Sequence, residues 1–245
     1  IWKNNKNINT ENSNSSNQDT QLNNNIKASD VVESSAKIEI QEGDEIQSEE
    51  QNVYGIFDPA NYDFNLNMWS ATKADDLRSS LKRLDKINLS KSSKEILEIV
   101  LLSFSYPPQG MSEKEFVNLK INWLIKNERV DLIESFLKQN QEFASKGKAV
   151  QYLVDKNIAS ANIKEGCDKI KFIDARIKDP YLEKFKIYCL VFDKKKSEAQ
   201  LLLNLLREQK LSSKFYDDKI NFILGITEKT ENKINEKNLL NFYLS

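Results

Sequence analysis

The chain of 245 residues contains two cysteines and no histidine. Without an imidazole, a Ser-His-Asp or Cys-His nucleophile and every histidine metal site are excluded within it. Its six glycines form no Walker loop and no G-x-G-x-x-G phosphate cradle. Carboxylates are plentiful, and a pair of them can serve as acid and base. Glu113 with Glu115, and Asp217 with Asp218, nevertheless read as dipole partners in the first turns of helices. No catalytic, cofactor or metal residue is therefore assigned, and a non-enzymatic role is expected.

The cysteines carry more information. Cys167 shares an apolar stripe with Ile163, Ile170 and Ile173, and Cys189 shares one with Leu182, Phe185 and Phe192. Both lie equally far from position 178, inside an expected turn at Lys178-Asp179. In an antiparallel hairpin, such residues sit at one height. That puts the thiols within disulfide reach, closing a loop of about 22 residues. The alternative is two free cysteines packed as small hydrophobes. A bridge implies an oxidising compartment, for a bacterium the periplasm; reduced thiols imply the cytoplasm.

The elements that hold these residues are helical. From Thr72 to the end, apolar residues recur at helical spacing. Leu77, Leu81 and Leu84 mark a first helix and Ile96, Ile99, Val100 and Leu102 a second. Phe116, Leu119, Trp123 and Leu124 mark a third, followed after Asn127 by Leu132, Ile133, Phe136 and Leu137. Six more are expected near 147–155, 158–174, 180–192, 195–209, 212–224 and 234–243. Ser112 with Glu115 and Ser92 with Glu95 fit capping boxes, Met111 can staple onto Phe116, Pro107-Pro108 with Gly110 should end the second helix, and Asp179-Pro180 should open another. Short turns make sequential helices antiparallel. The expected fold is all-α, with stacked hairpins in an α-solenoid and a compact multi-helical domain as the alternative. The helix-pair period drifts between about 32 and 42 residues without tetratricopeptide consensus positions.

Three regions follow. Residues 1–52 form a polar, then acidic, tail: ten of the first 25 are Asn, and residues 1–50 carry four lysines against ten acids. So few apolar groups cannot offset the entropy of ordering, so the tail is expected to be a disordered leash. The alternation Ala36-Lys37-Ile38-Glu39-Ile40 is compatible with a strand formed on binding. Residues 53–71 form an extended aromatic strap, and Tyr54, Phe57, Tyr62, Phe64 and Trp69 are a candidate interaction patch. Residues 72–245 are the helical-hairpin domain. The excess of five positive charges beyond residue 50 is too dilute to indicate nucleic acid. The longest apolar run, Ile96 to Phe104, is broken by Glu98 and Ser103, short of the roughly 20 residues of a membrane span. With Ile1-Trp2-Lys3 at its start and no initiator Met, the chain is expected to be a processed or truncated product, compatible with a signal peptide or anchor lost ahead of Ile1.

The run Leu101-Leu102 through Tyr106-Pro107-Pro108-Gln109-Gly110, the Trp69-Ser70-Ala71-Thr72 stretch, and the Gly166-Cys167 and Tyr188-Cys189 positions together resemble an uncharacterised alphaproteobacterial envelope family. Some of its members are labelled antifreeze glycopeptide polyprotein. The resemblance covers roughly residues 66–224 and implies secretion and an all-helical fold. The stacked pairs are similar, more loosely, to the superhelical non-catalytic part of soluble lytic transglycosylases, whose catalytic Glu motif has no counterpart here. The expected function is a scaffold or protein-interaction module of the bacterial cell envelope that holds a protein partner or cell-wall glycan. The alternatives are the accessory helical part of a peptidoglycan-acting enzyme and a cytoplasmic adaptor.

Overall fold

In the computed structural model, residues 52–174 and 177–245 are described; the expectations for the tail over 1–51 lie outside them. The described residues form ten α-helices, two short 3-10 turns and no strand. The helices are α1 (Ala74–Leu84), α2 (Lys91–Leu102), α3 (Glu113–Lys126), α4 (Val130–Gln139) and α5 (Lys146–Ala159). They continue with α6 (Ile163–Lys169), α7 (Pro180–Phe192), α8 (Lys196–Glu208), α9 (Lys214–Leu224) and α10 (Leu239–Tyr243). The fold is all-α.

Packing alternates. Each of α3, α5 and α7 packs against the helix that follows it, and α3 also meets α5, α5 meets α7, and α7 meets α9. The connection inside each hairpin is the same turn. After α3, α5 and α7, the second turn residue is left-handed: Glu128 at φ 55°, Ala161 at φ 56° and Lys194 at φ 63°. The next amide then donates to the carbonyl five residues back, as Arg129 to Leu124 at 3.0 Å, Asn162 to Asn157 at 2.8 Å and Lys195 to Leu190 at 2.8 Å. These turns fall at a constant interval of 33 residues. α10 breaks the pattern by folding back onto α5, where Leu240 is fully buried and Tyr243 meets Tyr188 edge-on.

A continuous core runs from α2 to α10 through Leu124, Phe136, Leu153, Phe185 and Ile220. A smaller cluster of Ala74, Leu77, Met111 and Phe116 seats α1, with Met111 and Phe116 together as the staple requires.

Several local expectations change. Ser112 does accept from the Glu115 amide at 3.2 Å, but the Glu115 carboxylate turns to Arg78 rather than back along the chain. α2 is capped by Ser90, accepting from Ser93, and not by Ser92. It also ends at Leu102, before Pro107-Pro108, because an extended run there pairs through Ser103 with Phe57 of the strap and through Gln109 with Lys73 at the start of α1. The helix expected over 158–174 is divided by the Ala161 turn, and the last helix begins at Leu239 rather than 234. Asp179 caps α7 through the Tyr181 and Leu182 amides, with Pro180 in the first turn.

Candidate functional site

The strap enters between α3 and α4 and is held there by polar groups. The Asn140 side chain accepts from the Gly55 amide at 3.2 Å and donates to the Gly55 carbonyl at 2.8 Å. Ile56 donates to the Leu102 carbonyl at 2.7 Å, and Phe104 donates back to Phe57 at 3.0 Å. Only glycine fits at 55: a Cβ there would lie 2.4 Å from the Phe104 nitrogen. Under the strap, the fully buried Lys120 donates to the carbonyls of Tyr54 at 2.6 Å and Ser103 at 2.9 Å, with its ammonium 4.4 Å from the centre of the Phe116 ring. Among the described residues it has no carboxylate partner. Burial pulls its pKa down to about 7.

Beside this clasp lies a cleft of about 710 Å³, formed where the first turn of α5 and the entry to α7 meet α3 and Tyr54. Asn118 of α3 lines both this cleft and a second of about 390 Å³ between α1 and α3. Ile177, Lys178 and Asp179 line both it and a third of about 280 Å³, whose other wall is leucine-rich α8. Through these shared lining residues the three clefts follow one another from α1 to α8, and together they are called the groove.

Most charges along the groove are engaged. Arg78 pairs with Glu115, Lys126 with Asp85 and Lys146 with Asp174, while Asp179 is spent on its cap. Lys148 donates to Asn122 at 2.6 Å. The Asn118 amide and the Lys178 ammonium have no hydrogen-bonding partner among the described residues and are open to a ligand. The lining is largely polar, with the neutral Asn118 amide between two of the clefts and leucines of α8 at one end. Among the described residues, no group of three or more metal-binding side chains clusters.

Cys167 and Cys189 form a disulfide, with Cα atoms 5.5 Å apart. It ties α6 to α7 on either side of the segment that supplies Ile177 and Lys178 to the groove. The five aromatics of the candidate patch are distributed over separate contacts. Tyr54 stacks edge-on against Phe143, Phe57 against Tyr62 and Trp69 against Phe116, while Phe64 is exposed. Of these, Tyr54 lines the central cleft. The buried polar residues Lys120 and Asn140 escaped the sequence reading. Lys120 carries a signal, since it falls four residues after Phe116 and four before Leu124 on the buried stripe of α3.

Comparison with protein-family models, curated proteins and solved structures found no match. No helix among the described residues is long and apolar enough to cross a membrane.

Proposed function

We propose that the chain is a non-enzymatic α-solenoid scaffold of the bacterial cell envelope whose groove holds an extended partner, either a protein segment or a cell-wall glycan. The observation that carries this reading is the succession of three clefts that share lining residues across successive helices. A succession of open clefts over several helices, with the Asn118 amide and the Lys178 ammonium unpartnered among the described residues, suits a chain-like ligand better than a single small molecule. The 33-residue recurrence of the hairpin turn supports stacked repeats, which expose such elongated surfaces. The disulfide favours the oxidising envelope over the cytoplasm, in keeping with the resemblance to the envelope family. The pairing of groove carboxylates with cations supports binding over acid-base chemistry.

The test is capture from an envelope extract by immobilised full-length chain, compared with Asn118→Arg. The scaffold reading expects components retained by the native chain and lost at least tenfold in the variant. Equal retention by both would contradict it.

A further inference from the structure

We propose that Lys120 is a proton-linked latch for the strap, so that proton uptake loosens Tyr54 from the wall of the central cleft and changes the groove. This rests on the groove reading above. The geometry is that of a latch. One amine bridges the strap carbonyl of Tyr54 and the Ser103 carbonyl that follows α2, so it joins two chain segments and has no other polar partner among the described residues. Both carbonyls are neutral and the Phe116 ring face 4.4 Å away supplies only a cation–π attraction, so no opposite charge compensates an ammonium removed from water.

Other ionisable groups near the strap do not supply that compensation. Besides Tyr54 the strap carries Asp58, Tyr62 and Asp63, and Lys120 hydrogen-bonds none of these side chains, only the Tyr54 and Ser103 carbonyls. The Tyr54 phenol is held above its ordinary range by burial and then by Glu113 of α3 and Glu142 of the loop before α5, so it carries no charge around pH 7. Around Ser103 the chain contributes the uncharged Ser105, and from the end of α4 comes the uncharged Asn140.

The sign follows from linkage. With the strap docked, the amine is largely neutral above about pH 7. With the strap released, it is an ordinary hydrated lysine and keeps its proton to about pH 10.4. Release therefore takes up a proton between these limits, and docking tightens as pH rises through this window, by up to about tenfold per unit. Below about pH 7 both states are protonated and the dependence levels off.

Two measurements on the full chain without ligand decide the matter. The 13C shift of the Lys120 Cε should titrate near pH 7, and a midpoint near 10 would overturn the proposal whatever any variant does. Hydrogen-exchange protection of the Ile56 and Phe104 amides, corrected for intrinsic rate, should rise several-fold per unit from pH 7 to 9 in the native chain and be flat in Lys120→Met. A flat native profile, or the same slope in the variant, would refute the latch. Neither readout involves a partner, so failure of the groove reading would show separately, as failed capture with the latch intact.

Discussion

Opening the Cys167–Cys189 bridge should destabilise the protein by about 3 kcal/mol. The bridge closes 22 residues, and on the chain-entropy relation a loop of that length removes roughly 11 cal/mol/K from the unfolded ensemble, about 3.4 kcal/mol at 25 °C. Cys189 is buried and Cys167 half-buried, so reduction by a dithiol leaves two thiols in nearly the same packing and isolates the effect of the cross-link. For a folded unit of this size, each kcal/mol moves Tm by roughly 2–4 °C, which predicts a fall of roughly 7–14 °C. Urea unfolding of oxidised, reduced and Cys167→Ala/Cys189→Ala protein is the assay. The reduced form should show a lower midpoint and a steeper transition, since its unfolded chain exposes more surface. A difference below about 1 kcal/mol between oxidised and reduced protein would refute the reasoning, as would two alkylatable thiols in the native chain.

Asn140→Ala should cost about 2–6 kcal/mol, because it orphans both the buried amide and the carbonyl of Gly55 at roughly 1–3 kcal/mol each; chemical denaturation measures it, and a loss below about 0.5 kcal/mol would show that water replaces the side chain. Asp155 accepts a hydrogen bond from Tyr181, yet burial raises its pKa above the ordinary carboxylate value. The folded state therefore binds its proton more tightly than the unfolded state, and the resulting stability is lost as pH rises through the folded pKa. Asp155→Asn keeps an acceptor without the charge and should be stabilising at pH 7 relative to native, with the gain shrinking towards pH 4; a destabilised variant at pH 7 would contradict this.

Much of the fold was legible because apolar spacing is a strong local signal. The stripes through Leu77, Phe116, Phe136 and Leu203 all face the core, and the symmetry of Cys167 and Cys189 about the turn identified a bridge that the structure contains. The regular period was hidden for a physical reason. The left-handed turn positions are occupied by Glu128, Ala161 and Lys194 instead of glycine, so the hydrogen bonds of the turn rather than a residue preference maintain the repeat. The break expected between 155 and 158 falls instead at 160–162, displaced for the same cause. Pro107-Pro108 misled as a helix stop, since partnership with the strap decides where α2 ends. The groove was not legible, because it depends on Asn118, Lys148 and Lys178, residues more than one helix apart that only packing brings together. Lys120 was visible only as a cation on an apolar stripe, a pattern that more often marks a side chain reaching out to solvent.

The most direct test of the scaffold account is site-specific photocrosslinking from the groove in an envelope extract. A crosslinker at Asn118, where two of the cavities meet, is compared with one at Glu165, exposed on α6 and outside the groove. The account predicts discrete adducts from position 118 and none from 165. Adducts equally abundant from both positions, or none from 118, would contradict it.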